Sequence, residues 1–326
     1  MTHRQHYDVL VIGTPCVDLI FGGMPNWPVS GQEMYVQQFA IGVGGIFNTA
    51  ATLSRLGLRV ALLTELGNDF FSKFIFDELA KASISRDLVI VRDCPMFSLS
   101  VSLSHDGERG FVSYSNTGDG IVAHLAAQHA DHGAAREDAL PDYRAVLESC
   151  SCDALFCYAA PAIMPVASMM VERGVTIFYD TGWSADELSN SLMRSAIACG
   201  HYALPNLLEA TYMTGTETAE AAARALATWL PTAVVKMGAR GVVACQGDSL
   251  MRCPAYPIKE VVDTTGAGDA FNGGFIYGIL KGYALADALR CGTICGSLST
   301  TALTGTAAVP TADELEQRRA IFPTII

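Results

Sequence analysis

Several sequence features that define common classes of protein are missing from this chain. No stretch provides the roughly 18 to 20 uninterrupted apolar residues that a membrane helix requires. The first residues, MTHRQHYDVLVIG, lack the long apolar run and the small-residue cleavage site of a signal peptide. Basic residues are few, since 21 lysines and arginines face 33 aspartates and glutamates, for a formal net charge of −12. This balance argues against a nucleic acid or a membrane as partner, and we expect a cytoplasmic protein.

Motifs for common metal, redox and nucleotide sites are missing as well. The ten cysteines form no Cys-x-x-Cys pair, so we expect buried free thiols rather than a zinc or redox site. No Gly-Lys-Ser or Gly-Lys-Thr occurs, which excludes a Walker-type loop. Two Gly-x-Gly stretches, at residues 42–44 and 266–268, lack the third glycine of a dinucleotide fingerprint. The absence of this third glycine argues against a dehydrogenase.

What the chain does contain is the pattern of an α/β protein. Half of its residues are hydrophobic. Buried-strand patterns such as residues 7–13 and 59–67 alternate with helical ones such as 45–57 and 69–82. Strands that alternate with helices predict a mostly parallel sheet with helices on both faces. The pattern predicts the last strand at residues 261–265, followed by a helix and a helical C-terminal region.

Two alternating segments interrupt this strand–helix rhythm. Residues 98–104 and 110–116 flank a short DGER turn, which is typical of a β-hairpin. Together with a proline-containing and then alternating segment near residues 15–43, they predict a small β insertion. We expect this insertion to stand off the main sheet.

The stretch VVDTTGAGDAFNGGF combines a glycine turn with an aspartate. Gly266 and Gly268 let the backbone approach a ligand, and the first amides of the following helix lack intrahelical partners. These two features together predict an anion-binding site. Asp269 lies in the first turn of that helix. On its own, such an aspartate is either a helix cap or a functional carboxylate beside the anion.

This stretch carries a resemblance to a known family. Residues 263–271, DTTGAGDAF, resemble the C-terminal signature of PfkB-type, ribokinase-like carbohydrate kinases. Three further segments are similar to motifs of that family and follow in the same order along the chain. They are GGIFN at 44–48 leading into RLG at 55–57, NLLE at 206–209 and KMGARG at 236–241.

The resemblance implies a fold and a reaction. The fold is a ribokinase-like three-layer α/β/α sandwich with a mostly parallel sheet, formed as a single domain by residues 1–326. A small β-sheet lid is expected from about residues 15–43 and 96–118. The reaction is transfer of the γ-phosphate of ATP to a hydroxyl of a sugar, with Mg²⁺ as cofactor. Exposed lid strands are able to pair between subunits, which allows a homodimer through the lid.

The resemblance also implies the roles of the glycine turn and its aspartate. Asp269 is expected to take the proton from the attacking hydroxyl. The turn formed by Gly266, Ala267 and Gly268 is expected to hold the transferring phosphoryl group. Phosphoryl transfer depends mainly on positioning and on stabilisation of negative charge, and a helix N-terminus supplies donors for that charge.

Binding residues for the acceptor follow from the same resemblance. Asp18 and Asn48 are expected to bind its hydroxyls, while Gly44 and Gly45 let it approach the backbone. A carboxylate and an amide suit neighbouring hydroxyls well. The structural alternatives are a turn residue for Asp18 and a helix cap for Asn48.

For ATP, the resemblance implies contacts from Asn206 and from Lys236, which reaches a phosphate. Gly238 and Gly241 would let the nucleotide lie against the backbone. A pair of turn glycines and an exposed lysine are, however, common in proteins without any ligand.

Metal ions are implied at two places. Glu209 is expected to support Mg²⁺ through water, because a carboxylate with retained waters suits a hard cation. Its structural alternative is an exposed glutamate near a helix cap. Asp263 and Thr265 match positions near which many family members bind a monovalent cation such as K⁺.

Two rival functions remain open. A nucleoside kinase of the same fold would stack a base on aromatic lid residues, although these residues could equally pack the lid on itself. The candidates are Trp27, Tyr35, Phe39, Phe97, Phe111 and Tyr114. A sugar-binding regulator without catalysis is disfavoured, because binding alone does not require Asp269.

The acceptor is expected to carry no phosphate. Residues 15–44 contain no lysine or arginine, and Arg109 is the one such residue between positions 96 and 118. Holding a second phosphate calls for basic side chains nearby, usually a bidentate arginine. We therefore expect a neutral sugar or nucleoside.

Overall fold

The computed structural model describes residues 4–105, 108–117, 121 and 143–322. Strands occur at intervals along these described residues. Residues 106 and 107 of the predicted DGER turn, the side chains of its residues 108 and 109, residue 118 of the predicted lid and the chain ends lie outside this description. The strands are β1 (Gln5–Ile12), β2 (Pro15–Gly22), β3 (Gln38–Gly45), β4 (Val60–Leu66), β5 (Val89–Val91), β6 (Ser98–His105), β7 (Glu108–Ser115), β8 (Cys150–Tyr158), β9 (Thr176–Asp180), β10 (Tyr202–Ala203), β11 (Thr232–Lys236), β12 (Val242–Gln246) and β13 (Ser249–Cys253).

Helices connect most of these strands. They are α1 (Ile46–Arg55), α2 (Phe70–Lys81), α3 (Tyr143–Ser149), α4 (Met164–Glu172), α5 (Ala185–Leu188), α6 (Met193–Ala198), α7 (Leu207–Thr214), α8 (Ala219–Leu226), α9 (Ala267–Leu280), α10 (Leu285–Ser299) and α11 (Ala312–Ile321). Short 3₁₀ turns occupy Pro161–Ile163 and Gly238–Arg240. Within the described ranges, no helix is both long and apolar enough to cross a membrane.

The strands form two sheets. The large sheet has the order β13-β12-β11-β10-β9-β8-β1-β4-β5, and its strands run parallel except at the β11-β12-β13 edge. The small sheet has the order β3-β2-β6-β7, in which β2 and β6 are parallel and the other neighbours antiparallel. The small sheet combines the two segments that the sequence predicts as an insertion.

Hydrophobic cores lie on both faces of the large sheet. Along β1, Val9 and Val11 point into one core while Leu10 and Ile12 point into the other, and all four side chains are fully buried. Residues of α1, α2, α9, α10 and α11 fill the first core. Residues of α3, α4, α6, α7 and α8 fill the second. The large sheet is thus the middle of three layers, as predicted.

One carboxylate joins α2 to the start of the small sheet. Asp69 caps α2 by accepting hydrogen bonds from the amides of Phe71 and Ser72, at 2.9 and 3.0 Å. Its other oxygen accepts from the amide of Met96, at 2.9 Å, just before β6 begins. A helix cap thereby fixes where the chain enters the small sheet.

The strand predicted at residues 261–265 is not formed, and this expectation is wrong. Val261 and Val262 are 56% and 41% exposed, and the segment is irregular. Asp263 organises it instead, since its carboxylate accepts from the amides of Thr265 (2.8 Å) and Thr304 (3.1 Å).

The edge strands β12 and β13, which the sequence pattern did not indicate, complete one side of the large sheet. Their antiparallel pairing departs from the strand–helix rhythm on which the prediction depended.

Candidate active site

The predicted site residues come together at one edge of the large sheet. Asp180 ends β9 and Lys236 ends β11, and Asn206, which follows the intervening β10, precedes the first residue of α7. The carboxyl ends of parallel strands share an edge, which is where open α/β sheets bind their ligands. The glycine turn at the start of α9 lies at this same edge, because Gly268 approaches Lys236.

Gly266, the first residue of the glycine turn, has no room for a side chain. Gly266 has a φ of 70°, a left-handed conformation that favours glycine. A Cβ at Gly266 would lie 2.7 Å from the Cα of Gly305 and 2.8 Å from Nδ2 of Asn48. The turn therefore needs glycine both for its conformation and for its close packing.

Asp269 does not cap its helix. α9 has no side-chain cap, and the recorded contact of the Asp269 carboxylate is with Asn48, whose Nδ2 donates to Oδ2 at 3.3 Å. The hydroxyl of Thr49 donates to the Asp269 carbonyl at 3.2 Å, which ties α1 to the first turn of α9. The helix-cap alternative is thus not what the structure contains.

The environment of Asp269 disfavours its charged form. Part of its surface is accessible from the cavity, yet protein atoms surround it densely, so its carboxylate is poorly hydrated. Burial, followed by the negative charge of Asp180, raises the pKa of Asp269 to about 7, against the opposing effect of Lys236. A carboxyl group with this pKa exchanges a proton readily near neutral pH.

Asp18 and Asn48 line the side of the site next to the small sheet. The pKa of Asp18 is raised to about 6, mainly by burial. A side chain at Gly44 would overlap the Asp18 carboxylate, and Gly45 has a φ of 62°, so both glycines are structurally required. Asn48 is 2% exposed, and its Oδ1 has no hydrogen-bond partner among the described residues.

Asn206 and Glu209 form a capping box at the start of α7. The Asn206 side chain accepts from the Glu209 amide, and Glu209 Oε2 accepts from the Asn206 amide, both at 2.9 Å. Glu209 is not the exposed residue of the structural alternative, because it is 4% exposed and also accepts from the Thr181 hydroxyl at 2.7 Å. Burial and the charge of Asp180 raise its pKa.

A cavity of about 680 Å³ extends from the glycine turn along the ends of β11 and β12. Asn206, Glu209 and Lys236 line it near the turn, and Tyr256 and Ile258 line it further away. Its volume lies in the usual range for a pocket that encloses a small ligand.

Gly238 and Gly241 line this cavity as well, but only one has a packing reason to be glycine. Gly241 has a φ of 81°, and a Cβ there would overlap the carbonyl oxygen of Cys253. Gly238 has a φ of 58° and open space around it. Gly241 is therefore explained by its backbone conformation and by the contact with Cys253, without a ligand.

Lys236 is not the exposed lysine of the structural alternative. Its ammonium lies 2.6 Å from Oδ2 of Asp180, and the two side chains are 11% and 7% exposed. Asn272 of α9 contacts both partners.

Sequence reasoning gave no role to Asp180, Asn272 or Thr181. Asp180 offered a signal, since an acidic residue ends a buried strand there, whereas Asn272 offered none.

Two more side chains lie near the carboxylates of Asp18 and Asp269. The thiol of Cys16 donates to Oδ1 of Asp18 at 3.4 Å. Tyr158 ends β8 next to the end of β9, and burial, together with the charges of Asp269 and Asp180, raises the pKa of its hydroxyl well above its usual value. The sequence gave no reason to single out either residue.

Comparisons with known proteins identify the family of this chain. Residues 8–312 match the model of the pfkB family of carbohydrate kinases. Ribokinase from Haemophilus influenzae is 24% identical over 314 residues, which cover 93% of this chain and 95% of that protein.

Solved structures share the fold along nearly the whole chain. A putative ribokinase II from Escherichia coli in complex with ATP and Mg²⁺ superimposes with a TM-score of 0.75 at 21% identity, covering 95% of this chain and 98% of the other. The nucleoside kinase of Methanocaldococcus jannaschii superimposes with a TM-score of 0.73 at 18% identity, covering 96% and 98%. The predicted ribokinase-like fold is confirmed. The chain belongs to the pfkB family of carbohydrate kinases and is an ATP-dependent phosphotransferase with an alcohol group as acceptor.

Proposed function

We propose that this enzyme transfers the γ-phosphate of ATP to a hydroxyl of a neutral, unphosphorylated sugar. The observation that carries the proposal is the contact between Asn48 and Asp269. It joins the acceptor side of the site to the glycine turn, so that a hydroxyl bound by Asp18 and Asn48 would lie beside Asp269.

In this proposal Asp269 is the general base. Its carboxylate accepts the proton of the attacking hydroxyl, and its pKa of about 7 suits that task near neutral pH. The turn from Gly266 through Ala267 to Gly268 holds the transferring phosphoryl group with the unpaired amides of α9.

The residues near Glu209 fit a magnesium ion. Glu209 is a buried carboxylate beside the cavity, and hard cations prefer such oxygen donors, often through water. Glu209, supported by its bonds to Asn206 and Thr181, would hold the water shell of the ion. When bound, Mg²⁺ would neutralise charge on the ATP phosphates.

Pairing in the small sheet favours a sugar over a nucleoside. Asp18, Gly42, Ser100 and Ser113 are partners across the four strands, so their side chains share one face. The Oγ atoms of Ser113 and Ser100 lie 3.2 Å apart. The face that carries Asp18 is therefore lined by small hydroxyl-bearing residues, which suit a small polyol.

The aromatic residues of this sheet lie largely on its other face. Successive side chains of a strand point to opposite faces. Phe39 is three residues from Gly42 and Tyr114 is one residue from Ser113, so both lie on the face opposite to that of Asp18. Phe97 packs on Phe71 of α2 with ring centroids 6.2 Å apart. Phe111 alone among these residues shares the Asp18 face. A base-stacking platform next to Asp18 thus has little support.

The charge around Asp18 favours a neutral acceptor. Residues 15–44 contain no lysine or arginine, and the side chain of Arg109 lies outside the part of the chain that the structure describes. Asp18 and Asp269 together would repel a second phosphate. Closure of the small sheet over the acceptor, pairing of two subunits through it, and K⁺ binding near Asp263 and Thr265 stay predictions.

Substitution of Asp269 by asparagine tests the assignment of the base. Loss of a general base costs roughly 10²–10⁴-fold in rate, and we expect kcat to fall by at least that much with KM for ATP little changed. Steady-state kinetics measure both values, and Asp153→Asn, at the opposite end of the sheet, is the control. A folded Asp269→Asn protein with near-normal turnover would show that Asp269 is not the base.

The same variant should change how stability depends on pH. Because the folded-state pKa of Asp269 is raised, its contribution to stability is present at pH 4 and is lost as the pH rises through about 7. At pH 8 we expect Asp269→Asn to raise the free energy of unfolding, by up to about 4 kcal/mol. This gain should disappear near pH 4. Denaturant titrations at the two pH values measure it, and a variant less stable than the parent at pH 8 would contradict the environment described for Asp269.

A panel of acceptors tests the substrate class. With ATP and Mg²⁺, we expect the highest kcat/KM for a neutral sugar, above that for any nucleoside or sugar phosphate. The double substitution Ser100→Ala and Ser113→Ala should raise KM for that sugar and leave KM for ATP unchanged. Val101→Ala, on the opposite face of the same strand, is the control. A sugar phosphate or a nucleoside that exceeds every neutral sugar would overturn the proposal.

A further inference from the structure

Three polar side chains form a closed group beneath the site. Nζ of Lys236 donates to Oδ2 of Asp180 at 2.6 Å and to Oδ1 of Asn272 at 3.2 Å. The amide of Asn272 donates in turn to Oδ2 of Asp180 at 2.5 Å. Asn272 is fully buried, and the other two are almost so. Each of the three therefore fixes the other two.

The ammonium group of this cluster lies directly behind the anion-binding turn. A Cβ built on Gly268 would be 3.3 Å from Nζ of Lys236, so that the missing side chain leaves the ammonium next to the backbone of the turn. Lys236 is the one lysine or arginine among the described residues that line the cavity, which also include the carboxylates of Asp180, Glu209 and Asp269.

A cluster of this kind is a poor way to gain stability. Both charges of the pair are removed from water, and replacing a buried ion pair by apolar residues is often neutral or stabilising. A lysine is also a flexible four-carbon chain that loses conformational freedom when it is held in place. These costs are explained if the position of the ammonium matters for the reaction.

We infer that Asp180 and Asn272 are positioning residues that hold the Lys236 ammonium behind Gly268, where its charge stabilises the phosphoryl group during transfer. The inference rests on the proposed function of the glycine turn and deepens it. This role of the Lys236 ammonium differs from a role in nucleotide binding. Charge stabilisation that is specific to the transition state acts on kcat rather than on KM for ATP. No covalent step is assigned to Lys236.

The competing explanation is that the cluster only fills the buried space between β9, β11 and α9. Three variants separate the two explanations. They are Lys236→Met, Asp180→Asn and the double variant that carries both substitutions. Each single substitution leaves a buried charge or a buried polar group without its partner, which destabilises the protein. The double variant removes both charges, so we expect its melting temperature to recover towards that of the parent.

In the double variant we expect the melting temperature to recover but kcat to stay low. In Lys236→Met, kcat should fall roughly 10²-fold or more, as when one preorganised donor is removed from an oxyanion site. Asp180→Asn should lower kcat by at least about tenfold, because the ammonium loses its fixed position. The double variant should remain as slow as Lys236→Met. In all three, KM for ATP should change far less than kcat.

The pH dependence supplies a readout that a structural role would not produce. The charged groups that act on Asp269 are Asp18, Asp180 and Lys236, and the charge of Asp269 acts in turn on the neutral thiol of Cys16 and the neutral hydroxyl of Tyr158. Asp180 raises the pKa of Asp269 and Lys236 lowers it. The acid limb of kcat/KM should therefore move to lower pH in Asp180→Asn and to higher pH in Lys236→Met.

Controls keep the experiment decisive. Asp8→Asn breaks an ion pair away from the site, since Asp8 of β1 lies 2.6 Å from the exposed Arg59 just before β4, and it should leave kcat unchanged. If Asp180→Asn does not fold, Asn272→Ala, which keeps both charges, should still lower kcat at constant KM for ATP. A stable double variant with kcat within about twofold of the parent, or single variants whose acid limbs move together, would overturn the inference.

The choice of acceptor separates this test from that of the proposed function. All variants are compared with the acceptor that the parent enzyme uses best. A parent enzyme that prefers a nucleoside contradicts the proposed substrate and leaves these comparisons valid. A parent enzyme that transfers phosphate to no acceptor overturns both.

Discussion

In the proposed mechanism, Asp269 has to lie close to a phosphate and yet be poorly hydrated, and much of the surrounding architecture fits that requirement. A carboxylate next to a phosphate is repelled by it, and the repulsion grows as water is excluded. Burial and Asp180 raise the pKa of Asp269, whereas Lys236 and the hydrogen bond from Asn48 lower it. The balance leaves the group close to its titration point at neutral pH.

The elements around the site approach one another more closely than side chains would allow. Gly266 and Gly305 both contact the Asn48 side chain, and Gly44 lies against Asp18. α1 and α9 touch through Asn48, Thr49 and Asp269, so the proposed acceptor and phosphate sides are joined by partly buried contacts between two helices. Such a site can hold two reactants in position, which phosphoryl transfer demands most.

Local sequence motifs predicted much of the site, because their residues are close in the chain. The turn at 266–268 and the pair Asn206 and Glu209 are of this kind. The cluster of Lys236 with Asp180 and Asn272 could not be predicted, since its members lie on two strands and a helix far apart in sequence. The fold was predictable where apolar periodicity reflects burial. It was not predictable at Val261 and Val262, whose β-branched side chains are exposed, because Asp263 fixes that segment by accepting backbone amides.

The most direct test of the central claim is the pH dependence of kcat/KM in the parent enzyme, measured with its best acceptor at saturating Mg²⁺. If Asp269 is the base in the environment described, the profile should rise with pH through an apparent pKa of about 7 and then level off. Asp269→Asn should abolish that rise. A profile that is already flat at pH 5, as for an ordinary hydrated carboxylate with a pKa of roughly 4, would contradict the claim.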